Sequence, residues 1–179
     1  MIILGSGSPR RQEILNNLNI KFEVIIPCVN EIHDKNNAKA TVIKNSSLKL
    51  NWCINKNQDN RIITADTVVA FNNKTIGKPK DKLEAINLLN TFSNNKLTIY
   101  TAMGYYDGKI SHIYCDSAIL YFKKLNNKII KKYVAEVNPL DKAGGFNIDE
   151  HGDWLIKDIE GSHSTVMGLC KDRILNLNL

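Results

Sequence analysis

The sequence predicts an α/β protein built around a mixed β-sheet. Its start alternates a strand-like run, a helix-like run and a second strand-like run, which is typical of a βαβ unit. Further on, residues 97–106 and 110–122 are rich in β-branched and aromatic residues and join at Asp107-Gly108, a favoured hairpin turn. A chain of 179 residues with 43% hydrophobic content is long enough to bury a core. We therefore expect a single domain over residues 1–179.

The first elements follow from the spacing of apolar residues. Residues 1–4 form a strand-like run, and residues 11–18 carry apolar side chains at helical spacing. A short strand is predicted over 22–26, before a loop over 27–36. Residues 38–55 then fit a longer helix with lysines toward its other faces.

The next strand is interrupted by two polar residues. The apolar runs 62–65 and 68–71 predict buried strand, and Asn72-Asn73 is a good reverse-turn signal. Asp66 and Thr67 lie between the two runs, where a buried strand would normally continue with apolar side chains. This interruption therefore needs a functional or structural reason.

Two helices are predicted in the second half of the chain. Asp81 and Glu84 resemble a capping box and predict a helix over 82–91. Residues 128–137 place apolar side chains on one helical face, and Asn138-Pro139 ends that helix. The remaining predictions are a strand near 154–156 and a helix near 168–177.

The segment Gly5-Ser6-Gly7-Ser8-Pro9-Arg10-Arg11 joins the first strand to the first helix. In such a junction glycines permit positive φ and close ligand approach, Ser8 can cap the helix and Pro9 suits its first turn. Free N–H groups, the helix dipole and two guanidinium groups would attract an anion, and a polyphosphate suits them best. An ordinary loop is the alternative, because the dinucleotide-binding and Walker patterns are both absent.

Asp66 is the outstanding candidate acid. Burying an unpaired carboxylate costs roughly several kcal/mol, so its partner should be a cation, a metal or a catalytic water. A structural ion pair or turn cap is the alternative. Three loops, 77–79, 141–146 and 161–166, combine polar or charged side chains with glycine, and each fits either a ligand contact or a surface turn.

Composition narrows the class of partner. The net charge of +6 favours an anion, but the lysines are scattered without interleaved aromatics, which favours a small anionic substrate over nucleic acid. The cysteines lack Cys-x-x-Cys spacing and the histidines lack metal-ligand spacing. We expect reduced thiols in a soluble, cytoplasmic protein, because neither a signal peptide nor a transmembrane run is present.

Five separated motifs resemble, in order and spacing, those of the Maf family of nucleoside triphosphate pyrophosphatases. They are Ser6 to Arg11, Ala65-Asp66-Thr67, Gly77-Lys78-Pro79, Asp141-Lys142-Ala143-Gly144 and Gly161 to Leu169. The resemblance implies an elongated mixed sheet flanked by helices, with a cleft between two lobes, similar to the inosine triphosphate pyrophosphatases. It also implies a homodimer, and cleavage of a nucleoside triphosphate to the monophosphate and pyrophosphate with a divalent cation, Mg²⁺ or Mn²⁺.

The resemblance also assigns roles to residues. Asp66 matches the family's proton acceptor and a metal ligand, two roles that the sequence does not separate, and Glu31 matches a second acidic residue that helps to hold metal. The positions matching substrate contacts are Ser8, Arg10, Arg11, Lys49, Thr67, Lys78 and Asp149. Among them, Arg10 and Thr67 match positions important for substrate choice, and Arg11, Lys49 and Lys78 match phosphate-side cations.

The substrate branch rests on two of these motifs. The arginine after Ser-Pro and the Asp-Lys-Ala-Gly segment resemble the branch that acts on dTTP and UTP. The resemblance extends the expected substrates to modified pyrimidine nucleotides and implies roles in nucleotide-pool house-cleaning and cell-division arrest. Asp149 stands where that family usually has glutamine; a carboxylate accepts hydrogen bonds but cannot donate to a base carbonyl. The alternatives are a 7-methyl-GTP pyrophosphatase, a non-catalytic regulator of septum formation and a basic nucleic-acid binder.

Overall fold

In the computed structural model, which describes residues 1–177, all strands belong to one seven-stranded sheet. The strands are β1 (Ile2–Gly5), β2 (Phe22–Val24), β3 (Arg61–Phe71), β4 (Lys74–Ile76), β5 (Lys96–Tyr106), β6 (Ser111–Phe122) and β7 (Ile156–Glu160). The helices are α1 (Pro9–Asn17), α2 (Ala38–Lys56), α3 (Lys82–Phe92), α4 (Asn127–Glu136), α5 (Gly152–Leu155), α6 (His163–Met167) and α7 (Lys171–Leu175).

The sheet is mixed, as predicted. Its order is β2-β1-β3-β5-β6-β7, and β4 pairs with β3 beside this path. β1 runs parallel to both β2 and β3, whereas the other pairs are antiparallel. The predicted βαβ start and the β5–β6 hairpin are thereby confirmed.

Helices cover both faces of the sheet. Ile14 of α1 packs in one cluster with Leu4, whereas Leu50 of α2 packs in another with Ile3. Because successive side chains of a strand point to opposite faces, α1 and α2 lie on opposite faces of β1. The chain passes from β1 to β2 through α1 on one face and from β2 to β3 through α2 on the other face, and β2 and β3 lie on opposite sides of β1. The carboxyl end of β1 is therefore a topological switch point.

A gap in strand pairing lies next to this switch point. On one edge of β3, β1 pairs with residues 61–64 and β4 pairs with residues 69–71. Neither strand pairs with residues 65–68 there, although β5 pairs with this segment on the other edge. Asp66 and Thr67 therefore lie at an open edge, two and three residues beyond the pairing of Thr64 with Gly5.

One sequence prediction was wrong near the end of the chain, and one was too long. Trp154 belongs to the short helix α5, and the strand begins only at Ile156. The helix expected over 168–177 is the shorter α7, Lys171–Leu175, and Gly168, which has a φ of +103°, ends the preceding helix α6. A Cβ at Gly168 would lie 2.9 Å from Thr67 Oγ1, so this tight approach requires glycine.

Elsewhere the differences are smaller. β3 is one continuous strand of 11 residues despite the two polar residues, and β4 was not predicted. All four cysteines are unpaired thiols, as expected. No helix within residues 1–177 combines the length and apolar character needed to cross a bilayer. The single domain stays a prediction, and its last two residues lie outside the described range.

Candidate active site

Asp66 is a buried carboxylate on the α2 face of the sheet. The residue is 6% exposed, and Lys49 Nζ lies 2.7 Å from its Oδ1. Its Oδ2 accepts a hydrogen bond of 3.2 Å from the side-chain amide of Asn45. Lys49 and Asn45 are one helical turn apart on α2, so they present their polar groups to the same side of β3. The buried charge is thus paired and hydrogen-bonded.

Glu31 joins this cluster from the loop before α2. Its Oε1 lies 2.8 Å from Lys49 Nζ, so one ammonium group bridges the two carboxylates. Partial burial opposes ionisation of Glu31, but the hydrogen bond and charge of Lys49, aided by His33 and Lys78, outweigh it and hold the pKa of Glu31 below its usual value. The sequence-based pairing of Glu31 with Asp66 is therefore matched by their positions.

Thr67 points to the opposite face of β3 from Asp66, as alternation along a strand requires. Its hydroxyl lies 3.0 Å from that of Thr101, which in turn donates 2.7 Å to the carbonyl of Thr165. Thr67 also accepts a hydrogen bond of 3.3 Å from Arg11. The site thus has two parts, back to back across the open segment of β3, rather than one pocket that both side chains share.

Arg11 fastens the first helix to the loop after α6. Its guanidinium donates 2.8 Å to the carbonyl of Gly168 and 2.8 Å to the hydroxyl of Ser6, besides the bond to Thr67. Burial lowers the pKa of Arg11, and the nearby charge of Asp66 opposes this shift. Arg11 thus joins the turn after β1, the Thr67 hydroxyl and the loop after α6.

A cleft of about 230 Å³ opens on the Thr67 face. It is rich in cations, and the one acidic side chain among the described residues that line it, Asp141, is ion-paired with Lys142. The cationic and hydroxyl side chains of its lining are those of Ser8, Arg10, Arg11, Thr67, Lys78 and Lys142. A hydrogen bond of 2.9 Å from the Gly144 amide to the Gly77 carbonyl holds two of the predicted loops together at its rim.

The turn between β1 and α1 differs in part from expectation. Ser8 and Pro9 occupy the expected N-cap and first-turn positions, but the Ser8 side chain does not cap the helix. Gly5 does not have a positive φ. A Cβ there would lie 2.7 Å from both Cys53 Sγ and Thr64 Cγ2, so close packing explains this glycine. Ser8 is among the residues that line the cleft.

Sequence reasoning missed the residues that hold Arg10. The Arg10 guanidinium donates a long hydrogen bond of 3.4 Å to Asn147 Oδ1. The Asn147 backbone in turn exchanges two hydrogen bonds with the fully buried Tyr133 hydroxyl, 2.7 Å from its N–H and 3.0 Å to its carbonyl. No sequence pattern indicates that Asn147 contacts Arg10, because the two residues are far apart in the chain. By contrast, Asn45 lies one helical turn before Lys49, so helical spacing alone places these two side chains on the same side of α2.

Asp149 is not among the residues that line the cleft. It is exposed, and its backbone N–H donates 3.2 Å to Asn147 Oδ1. Its predicted contact with a base stays a prediction. The nearer neighbours of the cleft in this loop are Phe146 and Ile148.

The carboxylate cluster can supply two ligands to a divalent cation, whose remaining ligands would be waters and phosphates. Within residues 1–177 no group of three or more His, Cys, Asp or Glu side chains is arranged to hold a metal. Two carboxylates, Glu31 and Asp66, nevertheless converge on one position, which Lys49 Nζ occupies. Mg²⁺ is commonly held by one or two carboxylates together with substrate phosphates and waters, and this pair meets that pattern.

The two adjacent arginines should differ in role. Arg10→Ala removes one long hydrogen bond, so we expect weaker substrate binding with little change in melting temperature. Arg11→Ala removes three shorter contacts, and charge-assisted hydrogen bonds are worth about 1.5–3 kcal/mol each, so we expect a marked fall in melting temperature. Calorimetry and initial rates on both variants check this, with Arg173→Ala, which removes a surface pair with Asp116, as the control. Equal melting temperatures for the two variants would contradict it.

Tyr133 should make stability fall at high pH. Burial raises its pKa to about 12. The folded state therefore keeps this proton to higher pH than the unfolded state, so the contribution is complete below about pH 10 and is lost as pH rises toward 12. At about 1.4 kcal/mol per pKa unit the loss is roughly 2–3 kcal/mol. We expect Tyr133→Phe to lack this component when the free energy of unfolding is measured from pH 9 to 12; parallel curves would contradict the assignment.

The fold and this geometry define an α/β protein with a cationic cleft at a topological switch point, the place where sheets of this kind bind ligands. The family model described as Maf-like protein matches residues 1–177. The chain therefore belongs to the Maf family, and the resemblance noted in the sequence is confirmed.

Two bacterial proteins named dTTP/UTP pyrophosphatase are similar to this chain over nearly its whole length. The chain is 37% identical over 176 residues to a dTTP/UTP pyrophosphatase of Thermosipho melanesiensis, covering 98% of this chain and 95% of that protein. It is 36% identical over 168 residues to a dTTP/UTP pyrophosphatase of Aquifex aeolicus, covering 94% and 88%. Among solved structures, a nucleoside-triphosphatase / dITP/XTP pyrophosphatase of Mycobacterium abscessus matches with a TM-score of 0.42 at 10% identity, over 69% of this chain and 73% of that one.

Proposed function

We propose that this protein is a nucleoside triphosphate pyrophosphatase that hydrolyses dTTP and UTP to the monophosphate and pyrophosphate. The observation that carries the proposal is the lysine-bridged pair of carboxylates, Glu31 and Asp66, directly behind a cationic cleft at the open edge of β3. The names of the similar proteins support the pyrimidine substrates over 7-methyl-GTP. A cytoplasmic location suits a nucleotide substrate, and a homodimer stays a prediction.

The cleft supplies the charges that a triphosphate needs. The positively charged side chains of Arg10 and Lys78 line the cleft. Ser8 lies at the amino end of α1, where the helix dipole favours anions. Arg10 can present two parallel donors to phosphate oxygens, whereas Lys78 acts as a point charge. In the proposal these groups hold the phosphates, and Thr67 orients Arg11 beside them.

Asp66 is proposed to act on water at the open edge of β3, where a triphosphate held in the cleft would extend its α-phosphate past the strand to the carboxylate. A water oxygen attacks the α-phosphorus, the bond from that phosphorus to the bridging oxygen of the β-phosphate breaks, and pyrophosphate leaves. Asp66 orients the water and accepts its proton, while Lys49 and Asn45 fix the carboxylate. Lys49 lies between both carboxylates, so its ammonium can offset the negative charge that builds up as a polyanion approaches.

A divalent cation, Mg²⁺ or Mn²⁺, is the proposed cofactor. Glu31 and Asp66 would hold it together with the substrate phosphates. When bound, it would neutralise phosphate charge and polarise the phosphoryl group. The protein's own contribution is to hold the two carboxylates in place beside the Lys49 ammonium group.

A nucleotide panel tests the proposal. Pyrophosphate release is measured with dTTP, UTP, CTP and 7-methyl-GTP, with and without Mg²⁺ or Mn²⁺. We expect release from dTTP and UTP that requires the cation. Preference for 7-methyl-GTP would move the protein to the other branch, and no release from any nucleotide would favour the non-catalytic regulator.

A further inference from the structure

Asn45 is a buried side chain to which the sequence assigned no role. It lies on α2, is 1% exposed, and makes three hydrogen bonds to groups outside its own helix. Its Oδ1 accepts 2.8 Å from the Ile32 N–H, and its Nδ2 donates 3.0 Å to the Ile32 carbonyl. The second amide hydrogen goes to Asp66 Oδ2 at 3.2 Å. Both donors of the amide are therefore used.

The pair of bonds to Ile32 holds the loop that carries Glu31. Residues 25–37 contain neither helix nor strand, so their backbone must be fixed by other means. Ile25 is tied to Leu4 at one end, and Asp34 and Lys35 are tied to Thr75 at the other. Between these ends, the Asn45 amide pairs with one backbone residue on both its N–H and its carbonyl, as a neighbouring strand would. Glu31 is the residue directly before that clamp.

The same amide also reaches the acid of the proposed reaction. The Asn45 amide donates to Asp66 Oδ2, and the other carboxylate oxygen, Oδ1, pairs with Lys49 Nζ. Lys49 Nζ also pairs with Glu31. One side chain on α2 thus fixes both the loop position of Glu31 and the orientation of Asp66. An asparagine whose only task was packing would not need hydrogen bonds to two separate segments of the chain.

We infer that Asn45 is a positioning residue that sets the spacing of the Glu31 and Asp66 carboxylates and so fits them to a shared divalent cation. The inference rests on the proposed function for its link to turnover, but its structural content is independent of that link. Partners of this kind, which hold metal ligands without touching the metal, typically cost about 10- to 100-fold in metal affinity or activity when they are removed.

The test compares Asn45→Leu, of similar size but without hydrogen-bonding groups, with the control Asn57→Leu. Asn57 follows the end of the same helix, and within residues 1–177 its side chain hydrogen-bonds only to the Cys53 carbonyl, inside that helix. Hydrogen exchange at the Ile32 amide, Mn²⁺ affinity by electron paramagnetic resonance without nucleotide, and pyrophosphate release are measured on each. If Asn45→Leu does not fold, Asn45→Ala replaces it, because the smaller side chain leaves room for water.

For the Asn45 variant we expect faster exchange at Ile32, a Mn²⁺ affinity about 10-fold or more weaker, and turnover lower by a similar factor. The control should match the wild type in all three. Unchanged Mn²⁺ affinity in the folded variant, or no Mn²⁺ binding by the wild type, overturns the inference. If the wild type binds Mn²⁺ but releases no pyrophosphate from any nucleotide, the proposed function fails while exchange and Mn²⁺ affinity still decide the role of Asn45.

Discussion

Asp66→Asn should lower pyrophosphate release from dTTP by about 100-fold or more, as expected when a general base is removed. Asparagine keeps the size of the side chain but can neither accept the proton of the attacking water nor carry the charge that Lys49 pairs with. The measurement is turnover at saturating nucleotide and cation. Because loss of a metal ligand would give a similar fall, the prediction covers both roles of Asp66.

The control for this variant is Asp116→Asn. Asp116 likewise pairs with a cation, Arg173, at 2.9 Å, but it lies on β6 and is not among the residues that line the cleft. We expect its turnover to match the wild type. Near-normal release by Asp66→Asn would exclude both the base and the metal-ligand roles.

Lys49→Ala should have the second large effect: it should lower both the melting temperature without metal and the turnover, and it should increase the stabilisation by Mn²⁺. Without the ammonium group, the Glu31 and Asp66 carboxylates face each other unneutralised, so we expect a lower melting temperature in the absence of metal. We expect turnover to fall by about 10²–10³-fold, as when one preorganised electrostatic group is removed. Because Lys49 occupies the position on which the carboxylates converge, Mn²⁺ should stabilise the variant more than it stabilises the wild type.

Thermal denaturation with and without Mn²⁺, together with initial rates, checks this prediction. Lys132→Ala is the matched control, since Lys132 pairs with Glu136 on the exposed side of α4 at 3.8 Å. Such surface pairs contribute about 0–1 kcal/mol, so that variant should change little. An Mn²⁺-induced shift in Lys49→Ala no greater than that of the wild type would count against a shared cation site.

The sequence was most informative where local chemistry decides the structure. The Asp81 side chain caps the Glu84 N–H, Asp107-Gly108 turns between β5 and β6, and Pro9 begins α1, each as local rules require. Asp66 was recognised as exceptional because burial of a charge is costly wherever it occurs. The family resemblance named Lys49 only as a phosphate-side cation, whereas the structure places its ammonium group between Glu31 and Asp66 and not in the lining of the cleft.

The parts that sequence reasoning missed depend on contacts between distant segments. Residue 168 must be glycine because Thr67, about a hundred positions earlier, leaves no room for a Cβ, and no local pattern reveals that approach. The clamp of Asn45 on Ile32 likewise joins a helix to a loop without any sequence signature. Strand alternation predicts that Asp66 and Thr67 point to opposite faces of β3. Which residues surround each side chain could not be predicted, because that depends on where α1 and α2 pack on the sheet.

The central claim is that water attacks the α-phosphorus, so the most direct measurement is the identity of the products. Phosphorus-31 nuclear magnetic resonance of dTTP incubated with the protein and Mg²⁺ should show pyrophosphate and dTMP appearing in equal amounts. Their formation should stop with Asp66→Asn. Orthophosphate and dTDP as the first products would place the cleavage at the wrong bond and contradict the proposed mechanism.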